Sequence, residues 1–223
     1  SRGLGDVYKR QVKAHMERGH GTAIMPMIQK AIHESNFSLS DFTSIAVTIG
    51  PGSITGLRIA MAAAKGLAIT HTIPLIGISC FEAVAQRVNQ ADRASSYDLL
   101  LIALNSKRED LYIECRDSLN EKVIPGGAIN SNVLFVKLKK LIDRQTNIRL
   151  IGDGCAQLLE NAPIDIYDHF LPVNEKDKEP LDATDVAHCT YNEASNSRTN
   201  IQKNTPSLTI DYLHSPDFTL SKN

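Results

Sequence analysis

The stretch that decides the fold is Ile45-Ala-Val-Thr-Ile-Gly-Pro-Gly-Ser-Ile-Thr-Gly-Leu-Arg-Ile-Ala60. It begins as a run of β-branched residues, passes through a glycine-proline-glycine turn and continues into small and aliphatic residues. Ile45, Val47 and Ile49 alternate with smaller or polar residues, a pattern that predicts a strand. We therefore expect a strand that is followed at once by a tight turn and a helix.

The turn itself indicates where the helix begins. Pro51 favours an extended conformation at Gly50, and Gly52 can take backbone angles that a side chain would forbid. Ser53 or Thr55 is then expected to cap the helix, because a hydroxyl oxygen accepts hydrogen bonds from its free amide groups. A strand, a glycine turn and a helix N-terminus often form a site for an anion such as phosphate.

The spacing of the glycines matches neither of the two common nucleotide-binding motifs. A Walker A loop needs Gly-Lys-Ser or Gly-Lys-Thr, but Gly56 is followed by Leu57 and Arg58. In the dinucleotide fingerprint GxGxxG, the third glycine would stand one residue before Gly56. A structural turn is the favoured interpretation, with a phosphate site as the alternative. The residues of that candidate site are Gly50, Pro51, Gly52, Ser53, Thr55, Gly56 and Arg58.

The composition is that of an ordinary globular protein of 223 residues with a formal net charge of −1. This charge would not attract nucleic acid or a membrane, so contact with RNA would need a basic partner. The four cysteines are far apart and form no CxxC pair, which argues against a zinc ribbon and predicts reduced thiols in the cytoplasm. The longest apolar run, Ile59–Thr70, is interrupted by Lys65 and is too short to span a bilayer.

The first half of the chain alternates helices and strands, which predicts parallel strands in an α/β layer. Predicted helices cover residues 21–33, 55–70 and 81–89, and predicted strands cover residues 44–50 and 74–78. The preceding residues, Ser1–Gln11, lack periodicity and are expected to be a non-native or disordered leader.

The second half begins with a predicted meander of strands and has the element order of a ribonuclease-H-like unit. The strands cover residues 98–105, 110–116 and 121–129, followed by a helix at 133–143, a strand at 148–151, a helix after Gly152-Asp-Gly154, a loop at 172–180 and a helix at 182–194. The first half repeats the helix–strand–helix order without a meander. We place a boundary near Ser95, with an N-terminal lobe over 12–95 that is missing its opening strands. The C-terminal lobe, with an irregular tail, covers 96–223.

The helix predicted at 55–70 is apolar on nearly every side, and the helix at 21–33 has a similarly broad apolar surface. Small residues recur at every fourth position of the later helix: Gly56, Ala60, Ala64 and Ala68. They would let a second helix approach closely, while larger apolar residues cover the other faces. Two such helices imply either a deep core or a partner, and we favour a partner because a sheet covers only one face of each helix. The residues expected at that interface are Ile24, Ile28, Ile32, Ile59, Ala60, Ala63, Ala64 and Leu67.

The sequence shows no catalytic or metal-binding set of residues. His15 and His20 would lie about 140° apart on a helix, and no carboxylate pair completes a metal site. Asn105 stands at a strand turn where a catalytic carboxylate could lie, but an amide is a poor general base. No Ser/His/Asp or Cys/His arrangement has a recognisable local context. We therefore expect no catalytic residue, no metal and no cofactor.

Several segments together resemble the TsaB (YeaZ-like) proteins of bacteria. The run Ile45–Gln86 is similar to the family's GPGSFTGLR-type signature, small-residue helix and PLIGVS-type strand. Arg18–Ile32 resembles its first helix, Asn105–Tyr112 resembles its DARR-x-EVY-type turn, and Ile210–Asp217 resembles its YLR-x-PD-type ending. The resemblance extends from about Val12 to the C-terminus, and the central signature is its most specific part.

This resemblance implies an α/β fold of two ribonuclease-H-like lobes of the actin-like and sugar-kinase (ASKHA) type. It implies a non-catalytic subunit that binds the TsaD transferase. With the ATPase TsaE, such a subunit supports attachment of threonylcarbamoyl to the adenosine next to the anticodon in tRNAs that read codons starting with A. In the family, the helices that correspond to 21–33 and 55–70 form the contact with TsaD or with a second copy. Contact with tRNA would then come only through the complex, and any ATP would be bound by that assembly.

Three features depart from the family pattern. The opening strands with an Asp-Thr-rich turn are not in this sequence, Asn105 stands where Asp is usual, and His214 stands where Arg is usual. The segment from His15 to His20 resembles the HxEGH-like metal motif of the TsaD relatives but has one extra residue. This wrong spacing argues that the chain is not the transferase itself. Two other functions stay open: a small-molecule kinase-like or peptidase-like enzyme of the same fold that uses the glycine turn for phosphate, and a homodimer formed through the same helices.

Overall fold

The computed structural model describes residues 10–16, 18–91, 97–195, 208–210 and 213. The chain divides into two compact units, one of Ser1–Ser79 with Val186–Ile210 and the other of Cys80–Asp185 with Asp211–Asn223. Most of the predicted leader and the predicted boundary at Ser95 lie outside the described residues, so both stay predictions.

The first unit consists of helices and parallel strands in the predicted order. Its elements are α1 (His20–Ser35), β1 (Ile45–Gly50), α2 (Ile54–His71) and β2 (Leu75–Ser79). β1 pairs in parallel with β2, and the register places Ile45 beside Leu75 and Val47 beside Gly77. The two strands and both helices confirm the predictions made from hydrophobic periodicity, with boundaries shifted by one or two residues.

The core of the first unit lies between this two-stranded sheet and one face of α2. Alternate strand residues point toward the helix because side chains on a strand alternate between its faces. The buried residues of this core are Val47, Ile49, Met61, Ala64, Ala68, Leu75 and Leu208. The helix is therefore held by its contact with the sheet, and α1 packs against α2 in turn.

The second unit contains a four-stranded sheet with the strand order β5-β4-β3-β6. Its elements are α3 (Cys80–Ala91), β3 (Leu99–Asn105), β4 (Leu111–Asp117), β5 (Lys122–Ile129), α4 (Ser131–Leu138), β6 (Ile148–Ile151), α5 (Cys155–Glu160), α6 (Ile164–Tyr167) and α7 (Ala183–Ser195), the last of which contributes residues to both units. β3, β4 and β5 form the predicted antiparallel meander, and β6 pairs in parallel with β3.

Three local features of the second unit differ from the predictions. The helix expected at 133–143 instead covers Ser131–Leu138. It begins earlier because the Asn130 side chain caps it by accepting from the Asn132 amide at 3.0 Å. The loop at 172–180 contains a short 3-10 helix, Glu175–Lys178. α6 was not predicted, since four residues are too few to show a helical period.

Both faces of the second unit's sheet are covered, which explains the continuous apolar run of β3. Leu99, Leu101 and Ala103 face one core cluster, and Leu100 and Ile102 face the other. All four cysteines of the chain are buried as free thiols. Burial raises the pKa of Cys115 and of Cys155 to about 12, because the thiolate is poorly solvated in an apolar core.

These two thiols should resist alkylation in the folded protein. At pH 8 we expect iodoacetamide to label Cys115 and Cys155 at least about a hundredfold more slowly than in denaturant, because only the exposed thiolate reacts. Peptide mass spectrometry measures each site separately, and the denatured chain is the control. Labelling of either cysteine at the denatured rate would contradict its buried position.

Candidate functional site

The turn after β1 has a geometry that differs from the sequence-based expectation. Gly50 has φ of 121°, in the region that favours glycine, and the Gly50–Pro51 peptide bond is cis. Gly52 is not among the glycines with positive φ, and a Cβ built on it would lie 3.9 Å from Leu57 Cδ1, an ordinary contact. The roles assigned to the two glycines are thus reversed: Gly50 needs the freedom that glycine provides, and Gly52 does not.

The start of α2 is fixed by a side-chain cap, as predicted. Ser53 Oγ accepts a hydrogen bond from the Gly56 amide at 3.4 Å, and the Leu57 amide donates to the Ser53 carbonyl at 2.9 Å. Ser53 therefore occupies one of the amides that a helix start leaves without a backbone partner, and its carbonyl accepts the first regular bond of the helix. Thr55 and Arg58 are exposed at its surface. In this arrangement the turn sets where α2 begins. The phosphate site at the same residues stays a prediction.

The difference between the two glycines can be measured. We expect Gly50→Ala to destabilise the protein by about 1–3 kcal/mol, because alanine is strained at this φ. Gly52→Ala is the matched control and should be neutral or stabilising by up to about 1 kcal/mol, since it restricts only the unfolded chain. Urea unfolding followed by circular dichroism gives both free energies of unfolding. Equal values for the two variants would refute the assignment.

The sheet-facing side of α2 is a stripe of four buried residues at helical spacing. They are Leu57, Met61, Ala64 and Ala68. Ala64 is only 7% exposed and packs in the core of the first unit. The small-residue pattern predicts Ala64 at the partner interface, and the structure corrects this, because its side chain packs in the core between α2 and the sheet.

The other predicted interface residues are half-buried, and part of their burial arises within the chain. On α1 these are Ile24, Ile28 and Ile32; on α2 they are Ile59, Ala60, Ala63 and Leu67. α1 contacts α2, and a Cβ on Gly21 would lie 3.7 Å from Ile59 Cδ1. The packing of α1 against α2 therefore accounts for some of the apolar surface that the sequence seemed to leave without cover.

Apolar side chains nevertheless remain at the surface of both helices. Ile69 on α2 is 71% exposed, and Met25 on α1 is 39% exposed. Ala62 is also exposed, and a Cβ at Gly66 would meet nothing within 4 Å. We call this set of residues, together with the half-buried residues of α1 and α2, the helical surface. Its residues are apolar or small, a composition that is common at protein contacts.

The remaining candidate positions do not form a chemical site. His15 and His20 are exposed, Glu17 between them lies outside the described residues, and His20 is the first residue of α1. Within the part of the chain that the structure describes, no three His, Cys, Asp or Glu side chains come together as a metal site. His214 is also outside that part. In the same described residues, no helix combines the length and apolar character needed to cross a membrane.

Asn105 has a structural role at the end of β3. The backbone amide of Asn105 donates to Asp153 Oδ1 at 2.9 Å, and the Asn105 side-chain Oδ1 accepts from the backbone amide of Lys107 at 2.6 Å. These bonds connect the β3–β4 turn to the loop before α5. The Asn105 side chain thus shapes the turn by accepting a hydrogen bond. A carboxylate oxygen at this position could accept the same bond.

A second strand–glycine–helix turn, between β6 and α5, repeats the arrangement at β1 and α2. Gly152 has φ of 111°, and the Gly154 amide donates to the Ala103 carbonyl at 2.9 Å. A Cβ at Gly152 would clash with that carbonyl oxygen, so the backbone of β3 leaves no room for a side chain there, and a Cβ at Gly154 would be a tight 3.0 Å from it. In the sequence, the Gly-Asp-Gly triplet directly after a predicted strand is what indicates this second turn.

A family model and individual relatives both match this chain. A family model described as TsaD, tRNA N6-adenosine threonylcarbamoyltransferase, matches residues 11–133. The tRNA threonylcarbamoyladenosine biosynthesis protein TsaB of Buchnera aphidicola subsp. Schizaphis graminum (strain Sg) is 30% identical over 156 residues, which are 66% of this chain and 71% of that protein. The protein of the same name from Escherichia coli (strain K12) is 37% identical over 107 residues, 45% of this chain and 44% of that protein.

Among solved structures, an uncharacterized protein with similarity to peptidase YeaZ from Pseudomonas aeruginosa matches with a TM-score of 0.64. The match is 20% identical in sequence and covers 88% of this chain and 85% of that one. The fold is therefore an α/β fold of the ASKHA-like class, as the resemblance implied. The match to the Buchnera protein narrows the class further: the chain belongs to the TsaB (YeaZ-like) family. The aligned segment spans less than half the length of the Escherichia coli relative.

Proposed function

We propose that this protein is a cytoplasmic, non-catalytic subunit in the biosynthesis of threonylcarbamoyladenosine in tRNA. Its partner would be a TsaD-like transferase, acting with a TsaE-like ATPase on the adenosine next to the anticodon of tRNAs that read codons starting with A. The observation that carries the proposal is the family membership, since the relatives are named for this pathway. The helical surface supplies a place for the partner.

The chemistry of the helical surface supports a protein contact. Ile69 and Met25 expose apolar area to water, and burying such area on association is favourable by about 25 cal/mol per Å². Small residues on α2 would let a partner helix approach the backbone closely. Because α1 and α2 pack on each other, a partner would meet a preformed surface rather than order a loose segment.

The turn at Gly50 supports an accessory role over an enzymatic one. The Ser53 side chain already occupies the Gly56 amide, and a phosphate at this helix start would have to compete for that donor. The net charge of −1 fits a protein that meets tRNA only through the complex. Any nucleotide would accordingly be held by the assembled complex.

Co-purification with the TsaD-like transferase of the same organism tests the proposal directly. We expect a stable complex when both proteins are present at micromolar concentration. Failure to detect a complex by size-exclusion chromatography and calorimetry would refute the partner. Sedimentation of the chain alone shows whether it also forms a homodimer through the same surface.

A pair of neighbouring alanines can locate the contact on α2. Ala63 is half-buried on the flank with Ile59, whereas Ala62 is exposed to water. We expect Ala63→Glu to weaken transferase binding at least about tenfold, because a charge buried without a partner is costly. Ala62→Glu introduces the same charge one residue away, at an exposed position of the helical surface, and should change the affinity less than about threefold because a charge at the edge of a contact stays hydrated.

Thermal unfolding of both variants must accompany the titration, since Ala63→Glu also affects the packing of α1. A loss of binding in a variant that unfolds near the wild-type temperature supports the assignment. Greater loss in Ala62→Glu than in Ala63→Glu would move the contact to the exposed side of α2.

The enzymatic alternative is tested by calorimetry of the isolated chain with ATP and Mg²⁺. The accessory role predicts no tight binding and no turnover. A dissociation constant in the low micromolar range, with hydrolysis or phosphoryl transfer, would favour a kinase-like enzyme that uses the glycine turn.

A further inference from the structure

The residues Leu208–Ile210, far along the chain from α2, form part of the core of the first unit. Leu208 is only 2% exposed and belongs to the same buried cluster as Met61 and Ala64 of α2. Ile210 packs against this cluster from its edge, while Thr209 between them is exposed. The segment is thus anchored by alternate residues, as a short extended chain is when it lies on a surface.

A gap in the side-chain layer of the sheet receives Leu208. Gly77 of β2 lies beside Val47 of β1 in the parallel register. A Cβ built on Gly77 would be 2.5 Å from Leu208 Cδ1 and 2.6 Å from Ile49 Cγ2, distances that real Cβ atoms do not show. Leu208 therefore fills the space that a side chain at position 77 would take, and the two positions are complementary in volume.

A polar contact fixes the same segment to α2. Lys65 Nζ donates a hydrogen bond to the Leu208 carbonyl oxygen at 3.0 Å. Lys65 lies about one turn from both Met61 and Ala68, two residues of the sheet-facing stripe. The segment thereby contacts the sheet through its side chain and the helix through its main chain. Removing it would expose the sheet-facing stripe of α2 and leave a cavity above Gly77.

We propose that Leu208–Ile210 acts as an intramolecular strap that fixes α2 on the sheet, so that the C-terminal part of the chain controls how the helical surface is presented to a partner. The control of partner binding rests on the proposed function, whereas the fixing of α2 does not. A strap of this kind couples two sites because α2 is buried on one face by Leu208 and carries the helical surface elsewhere.

The test compares full-length variants at adjacent positions. Leu208→Ala removes the buried side chain, and Thr209→Ala is the matched control because Thr209 is exposed. Lys65→Met keeps the aliphatic stem and removes only the hydrogen bond, so it loosens the strap without emptying the core. Hydrogen exchange of the isolated chain then reports the opening of α2, and calorimetry with the TsaD-like transferase reports partner affinity.

We expect amide exchange in residues 57–68 to be at least about tenfold faster in Leu208→Ala and a few-fold faster in Lys65→Met than in the wild type. Transferase affinity should fall in the same order, by about tenfold for Leu208→Ala. Thr209→Ala should match the wild type in both measurements. If Leu208→Ala unfolds the chain, Lys65→Met alone decides the matter.

The outcomes separate the strap from the proposed function. Exchange in α2 that is unchanged in both Leu208→Ala and Lys65→Met overturns the strap whatever the partner does. Faster exchange with unchanged or tighter transferase binding overturns the control of presentation. A wild-type chain that binds no transferase refutes the proposed function, and the exchange measurement still stands as the test of the strap.

Discussion

The structure of the first unit depends on the backbone of Gly50. The strand β1 and the helix α2 are separated by only three residues, so the chain must change direction abruptly after a buried strand. A residue with φ of 121° makes this change, and only glycine adopts such a conformation without strain. Ser53 then caps the helix at once. The stripe of α2 that faces the sheet is directed there because the turn sets where the helix begins.

In the second unit the chain also turns abruptly from a strand, β6, into a helix, α5, at a glycine with positive φ. Here the neighbouring strand β3 constrains the turn as well. At Gly152 the positive φ is joined by the close approach of β3, whose Ala103 carbonyl accepts from the Gly154 amide. The two turns show why a strand–glycine–helix sequence is not by itself evidence of a phosphate site. In each case the glycine is required by the chain's own backbone, and the helix N-terminus is shaped by contacts within the protein.

The function proposed for the protein rests on its family membership, and the helical surface supports it. The helical surface keeps apolar area exposed at Ile69 and Met25, while Ala64, taken from the sequence as an interface residue, belongs to the core. Membership of the TsaB family suggests which partner this surface could contact, because the relatives are named for a biosynthetic pathway on tRNA. The strap adds a second contribution, since Leu208 supports α2 from a distant part of the chain.

The sequence by itself determined the order of strands and helices, because hydrophobic period and glycine turns act over a few residues. It identified β1 and α2, the meander of β3 to β5, the Ser53 cap and the family, all of which depend on local pattern. It could not determine which glycine takes the positive φ, nor which face of α2 is buried, since both depend on where the sheet lies. The half-buried state of Ile59 required the position of α1, and the role of Gly77 required Leu208, which lies more than a hundred residues away. Contacts between distant parts of the chain leave no period in the sequence, so only the tertiary structure decided them.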